Sequence, residues 1–468
     1  MKNSFSARQT GFDPSLSFNI ECLPVIPGLT LKHVAYLARC AAYHFGSMPQ
    51  LDIKYNTKNY YFETQVYGIV VRSKVFAAIY QRVSCPRFWK RAIENKENEA
   101  RINLEAANSV LGGPTLENAI YCSNETLERV KEKKKTAEEQ LSRLTVKNLA
   151  TGSETDMWNI AKRNERNRIN QLYNATINIE KLATELSYRW IFITLTAPPK
   201  YHPNPLKGKC SYDPELGVKA SHLYINGEWK KIRSRLAKKG LSACPNGFFG
   251  VRTVEPHKDG CVHWHVLVFI DRKNIETLSA EVQKSFPLKY QCEIVIESPK
   301  EGSATAATYL YKYISKSFSK ETNEPSDQGH LEDQAREERD LASYRNKERV
   351  QAALSCLKIR QYDTFGLRRL TTIIRLINKL DLATIDAEPG SALDFVKTKI
   401  WRNSEGLLNL LKVKCFNKAS TENTLADTVR VIKRKSDNSY GEPTQRVIGV
   451  QIGDRQFLNS ALYKIERR

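Results

Sequence analysis

Between Trp190 and Phe318 the chain alternates short apolar, β-branched runs with helical stretches, and this alternation restricts the fold more than any other feature. Trp190-Ile-Phe-Ile-Thr-Leu-Thr196 reads as a buried strand, stopped by Pro198-Pro199. A polar loop with Pro203 and Pro205 leads to a basic helical segment around Trp229 to Lys239. Phe248 to Glu255 and His263 to Ile270 read as strands joined into a hairpin at Asp259-Gly260. Asn274 to Phe286 reads as a helix, Cys292 to Glu297 as a strand and Ser303 to Phe318 as a helix. The order β-α-β-β-α-β-α predicts an α+β fold, and a ferredoxin-like split β-α-β antiparallel sheet with helices on one face accounts for it economically.

A chain of 468 residues holds two or three domains. Composition divides it into a mainly helical N-terminal domain (1–185), the mixed domain (186–320), a polar linker (321–345) and a mainly helical C-terminal region (346–468). Leu31 to Phe45 carries apolar residues at helical spacing, and Asn124 is positioned to cap a charged helix running to Leu144. Lys131, Lys133, Lys134 and Lys135 on that helix, and Arg163, Arg166 and Arg168 beyond it, fit a solvated face as well as a phosphate track. The linker contains Pro325, Asp327 and Gly329 but few large apolar residues. Val350 to Leu380 is helical by pattern, and the remainder is mixed and weakly informative.

The formal net charge of +22 favours a polyanionic partner, because each Lys or Arg that neutralises a phosphate releases a condensed counterion. Ten cysteines without a C-x-x-C pair leave no zinc or redox site of the usual spacing, and Cys261 is expected as a turn or strand residue. No run approaches the roughly 18–20 apolar residues of a membrane span and no signal pattern opens the chain, so a soluble, cytoplasmic protein is expected. The absence of a G-x-x-x-x-G-K-[ST] phosphate loop argues against an ATP-driven motor in this chain.

His263-Trp264-His265 carries the strongest chemical signal. Residues two apart on a strand project from one face, so both imidazoles can bind one cation while Trp264 packs on the other side. Glu255, across the hairpin turn, can complete a two-His, one-acid set suited to Mg²⁺ or Mn²⁺. A strict two-residue turn at Asp259-Gly260 would place Glu255 opposite Trp264, on the wrong face; the site therefore requires a longer loop or a bulge. His257 is an alternative third ligand. Farther on, Tyr309-Leu-Tyr311-Lys312-Tyr313-Ile-Ser-Lys316 places Tyr309 and Tyr313 four apart on a helix, each followed three residues later by a lysine. Taken alone, tyrosines covering a sheet explain that run. Beside a His-His-acid site it gains meaning, because a phenol with a pKa near about 10 needs activation before it attacks a phosphodiester.

These segments resemble the HUH endonuclease superfamily, named for His-hydrophobic-His, and more narrowly the bacteriophage replication gene A protein family. The matching pieces stand in the family's order: Phe192-Ile-Thr-Leu-Thr196, Arg252 and Glu255-Pro-His-Lys-Asp-Gly260 leading into His263-Trp-His265, then Tyr309-x-x-x-Tyr313. Weaker likeness extends to Phe88-Trp89-Lys90 and to Ile359-Arg-Gln-Tyr-Asp-Thr-Phe-Gly366. Cys261 and Val262 depart from the small polar residue and proline common at those positions. The resemblance implies that His263, His265 and Glu255 bind a divalent metal, and that Tyr309 and Tyr313 are paired nucleophiles with Lys312 and Lys316 nearby. It implies a rolling-circle replication initiator that attaches covalently to single-stranded origin DNA through a 5′-phosphotyrosine and leaves a 3′-hydroxyl primer. A host helicase and DNA polymerase are the expected partners. Relaxases place the nucleophile before the histidine motif and small transposases carry one tyrosine, so both fit less well. A non-catalytic nucleic-acid-binding protein, built on the same RRM-like element order, would need neither metal nor tyrosine pair.

Overall fold

The computed structural model describes residues 28–113, 119–149, 152–205, 208–297, 306, 310, 347–367, 370–377, 380, 386–388, 391–395, 429–458 and 463–467. It is a mixed α+β fold with antiparallel sheets flanked by helices. The chain divides into two compact units, Met1–Leu104 with Lys435–Arg446, and Glu105–Arg434 with Val447–Arg468.

In the first unit, Thr30 caps the helix Leu31–Ser47 by accepting from His33 N at 3.2 Å. A three-stranded antiparallel sheet follows (Lys54–Tyr55, Tyr60–Glu63, Val70–Ser73), and then the helix Phe76–Val83. Val34, Phe45, Val71, Ile79 and Trp89 are fully or almost fully buried between them. Trp89 stacks on Phe45 at 5.1 Å and donates its indole N–H to Val83 O at 2.6 Å, which satisfies the one polar atom it brings into the core.

The second unit is organised around one five-stranded sheet. Its strands are β1 (Tyr188–Thr196), β2 (Phe248–Pro256), β3 (Val262–Asp271), β4 (Cys292–Ile296) and β5 (Tyr362–Phe365). They lie in the order β5-β2-β3-β1-β4, with every pairing antiparallel. Helices α1 (Met157–Glu185), α2 (Lys219–Lys238), α3 (Ile275–Ser285) and α4 (Leu370–Ile377) accompany it. Leu172, Ile179 and Leu182 of α1 pack with Trp190, Phe192, Phe249, Val251, Leu267 and Phe269 on one face, joined there by Ile373 and Ile377 of α4. The opposite face meets α2 and α3, which are tied together by Arg235 Nε to Glu281 Oε2 at 2.5 Å. Helices therefore cover both faces rather than one. Double coverage also explains why β1 and β3 read as nearly continuous apolar runs instead of alternating ones.

Three further expectations change. The cap of the charged helix Asn124–Ser142 is Ser123, whose Oγ accepts from Thr126 N at 3.0 Å, so Asn124 lies inside the helix. The stretch from Val350 to Leu380 is not one helix: Lys358 turns the backbone into the left-handed region (φ 54°), and β5 intervenes before α4. Tyr362–Phe365 completes the otherwise open edge of β2, and these backbone hydrogen bonds outweigh the local helical pattern. Beyond residue 345 the described residues also hold the strands Val429–Asp437, Pro443–Ile452, Arg455–Leu458 and Tyr463–Arg467, where a mainly helical region was expected. Among the described residues no helix is long and apolar enough to cross a membrane.

Candidate metal centre

The hairpin between β2 and β3 sets the site. His257 N donates to Cys261 O at 2.6 Å and Gly260 N to His257 O at 2.9 Å, with Gly260 at φ +88°. This is a three-residue loop, Lys258-Asp259-Gly260, closed by a turn whose last residue takes the left-handed conformation. Compared with a two-residue turn it moves the ladder by one residue. Glu255 lies opposite His263, and Thr253 opposite His265, so all four side chains share the sheet face that α1 covers farther along. The required longer loop is thus present, and Trp264 points to the other face. There Arg252 stacks over its ring at 4.4 Å, and its indole N–H donates to His222 Nδ1 at 3.2 Å.

On the site face the row along β1, β3 and β2 changes from apolar to polar as it leaves the core, from Phe192, Leu267 and Val251 to Thr194, His265 and Thr253. His265 Nε2 lies 3.0 Å and His263 Nε2 3.5 Å from the same oxygen, Glu255 Oε2. One ligand atom from each of the three residues falls within 4.8 Å of the other two. Thr194 Oγ1, 3.3 Å from His265 Nδ1, fixes the ring from behind, and Phe192 stacks against it at 5.5 Å. A metal-ligating imidazole ordinarily donates its far N–H to an oxygen acceptor, a place the Thr194 hydroxyl can take.

The donor set fits a divalent cation. The carboxylate and His265 are buried, and His263 Nε2 is buried without a hydrogen bond among the described residues. A polar nitrogen left open beside a carboxylate costs stability unless something fills the space between them. His257 packs against His263 at 4.2 Å with the rings tilted by 56°, but lies outside the three-residue cluster. Burial, and then the neighbouring His263 and His202, hold His257 down to about 2, so its imidazole is neutral at ordinary pH. Glu255, rather than His257, stands in one cluster with both histidines. Tyr121 is raised above the usual phenol range by burial and then by the Glu255 carboxylate, which places a described phenol in the field of the site.

The structure therefore brings Glu255, His263 and His265 together. Tyr309, Lys312, Tyr313 and Lys316 lie outside the described residues; next to them, Ala306 and Leu310 are helical and fully buried in the core against α1. Sequence reasoning missed Thr194, His202, Asp259 and Tyr121. Thr194 lies inside the Phe192–Thr196 motif and was within reach of it, whereas His202 and Tyr121 come from separate loops and have no spacing to betray them.

The known proteins similar to the chain are phage and prophage replication proteins. The family model described as bacteriophage replication gene A protein matches residues 35–321, more than half of the chain. The replication protein of Haemophilus phage HP1 is 26% identical over 300 residues, which is 61% of this chain and 36% of that protein. The replication gene A protein of Escherichia phage P2 is 24% identical over 452 residues, covering 90% of this chain and 55% of the relative. A probable replication endonuclease from a prophage-like region of Salmonella typhi is 27% identical over 232 residues, 45% of this chain and 26% of that protein. The chain thus spans between about a quarter and about half the length of these relatives. No solved structure matches it.

Proposed function

The chain belongs to the bacteriophage replication gene A protein family, and on that premise we propose that it initiates rolling-circle replication as a metal-dependent tyrosine endonuclease of the HUH type. The cluster of Glu255, His263 and His265 on one sheet face carries this reading. The antiparallel order β4-β1-β3-β2, with α2 and α3 as crossovers on one side, supports a ferredoxin-like core for the endonuclease domain at residues 186–320. β5 extends that core at its edge.

Glu255, His263 and His265 would hold Mg²⁺ or Mn²⁺, whose charge would serve to polarise the scissile phosphate. Thr194 keeps His265 in the orientation that turns Nε2 toward Glu255. Tyr309 or Tyr313 supplies the phenolic oxygen, with Lys312 and Lys316 stabilising its anionic form. Attack on phosphorus forms one P–O bond to tyrosine and breaks one to the 3′ oxygen, which leaves as a hydroxyl. The ester bond conserves the energy for later joining by the second tyrosine, so no ATP is consumed. The net charge of +22 suits a single-stranded DNA substrate. A host helicase and polymerase would unwind and copy the template, and the work would take place in the cytoplasm of the bacterial host.

The test is to incubate the chain with labelled single-stranded origin DNA and Mn²⁺ and look for a protease-sensitive covalent adduct. An adduct that needs His263, survives Tyr309→Phe or Tyr313→Phe in part and vanishes in the double variant is expected. Tight DNA binding with no adduct under any of these conditions would leave a binding protein and refute the enzyme.

A further inference from the structure

The loop that sets the register of the metal centre is held by groups outside the hairpin. Tyr121, itself in the left-handed region (φ 68°), donates its backbone N–H to Lys258 O at 3.0 Å. Gly112 passes so close that an added Cβ would lie 2.7 Å from Asp259 Cα. Asp259 is 4% exposed, and its carboxylate is used on both sides. Oδ1 accepts from Cys261 N at 3.1 Å, and Oδ2 lies 3.1 Å from His202 Nδ1. His202 Nε2 faces Cys261 Sγ at 3.5 Å. His202 belongs to the segment that follows β1 and the short turn Pro199–Tyr201, so it ties a separate stretch of chain to the hairpin tip.

A second path leads from the same residue to the ligands. The His202 ring packs edge-on against His257 at 5.1 Å, His257 lies against His263 at 4.2 Å, and His263 against His265 at 4.7 Å. Four of the eight histidines of the chain thus form one file. Glu255 stands at one end and Asp259 at the other. His202 and Asp259 are not in the ligand cluster, so neither has a place in binding the cation directly.

We infer that His202 and Asp259 are positioning residues of the metal centre: their contact locks the three-residue loop that pairs Glu255 with His263, and it anchors the imidazole file that aims His263. The inference rests on Glu255, His263 and His265 being the metal ligands. A buried carboxylate that loses its imidazole partner must find another or reach solvent, and either movement shifts the loop. A one-residue change of pairing is enough to rotate Glu255 away from both histidines.

The experiment measures Mn²⁺ affinity of the full chain by the electron paramagnetic resonance signal of free Mn²⁺. The variants are His202→Ala, Asp259→Ala, the double variant, and His202→Asn, with His263→Ala as reference. Each alanine change should weaken Mn²⁺ by about 10–100-fold, the usual loss for an outer partner of a metal site. The double variant should be no weaker than the worse single one, because both remove the same contact. His202→Asn, whose amide nitrogen occupies the place of Nδ1, should recover most of the affinity; a simple loss of packing would not be rescued this way. Wild-type affinity in both alanine variants, or losses that multiply in the double variant, would overturn the inference while leaving the metal site intact. An unaltered chain that binds no Mn²⁺, or binds it equally well with His263→Ala, would instead sink the ligand assignment and this inference with it.

Discussion

Glu255 faces His263 across the hairpin ladder, its carboxylate 3.5 Å from the imidazole Nε2, because three residues rather than two close the loop between their strands. The same spacing turns Trp264 to the opposite face, where it meets Arg252 and His222. A period-two structure leaves no intermediate arrangement, so loop length alone decides whether the acid and the two histidines meet.

Deleting Val262, the β3 residue between the loop and His263, should therefore be more damaging than substituting Lys258 in the loop itself. With the three-residue loop kept, that deletion sets Glu255 opposite Trp264 and removes a ligand from the site. Mn²⁺ affinity, measured by titration calorimetry, should fall by more than the roughly 10–100-fold expected for an outer partner. Lys258→Ala keeps the loop length and the backbone carbonyl that Tyr121 uses, and should bind as wild type does.

Glu255→Gln keeps the shape of the side chain and removes its charge. Nicking of labelled single-stranded origin DNA should drop by at least about 10-fold at fixed Mn²⁺, and part of the loss should return at higher Mn²⁺. Chelation of the wild-type protein should abolish nicking until either Mg²⁺ or Mn²⁺ is restored. Full activity in the presence of chelator would contradict the assignment.

His222 makes stability depend on pH. Burial, followed by the Arg252 and Lys219 charges, holds it down to about 4 against an ordinary 6.5, while its Nδ1 accepts from the Trp264 indole. The folded state thus favours the neutral ring. The contribution is complete above about 6.5 and is lost as pH falls toward about 4, because the unfolded chain takes up the proton first. Its size is on the order of 1–3 kcal/mol. His222→Gln keeps an acceptor without the titration, and urea denaturation at pH 7.5 and pH 5 should show a smaller difference between the two.

Gly366, directly after β5, has φ +79°, and an added Cβ would lie 2.5 Å from Phe249 Cβ and 2.6 Å from Phe248 O. Neither neighbour is the end of a flexible side chain. Gly366→Ala should cost about 3 kcal/mol from left-handed strain and overpacking together, read as a lower denaturation midpoint. The added volume pushes on the edge pairing of β5, so amide exchange in Tyr362–Phe365 should accelerate with it.

Much of the central sheet was legible in the sequence. Apolar β-branched runs fixed the strands at Trp190–Thr196, Phe248–Glu255 and His263–Ile270, because local pattern and burial agree there. His263 and His265 were bound to share a face, since alternation along a strand is a local property. What local pattern could not reach was decided by contacts between distant segments. The side of the sheet on which Glu255 lies depended on one residue of loop length, and that length is held by Tyr121 and His202 from elsewhere in the chain. Tyr362–Phe365 became a strand because β2 had an open edge, and an unpaired edge is a property of the assembled sheet that no window of sequence contains. The sequence by itself determined which residues could bind the metal; the tertiary structure decided that they meet, because register and edge pairing are set by hydrogen bonds between segments far apart in the chain.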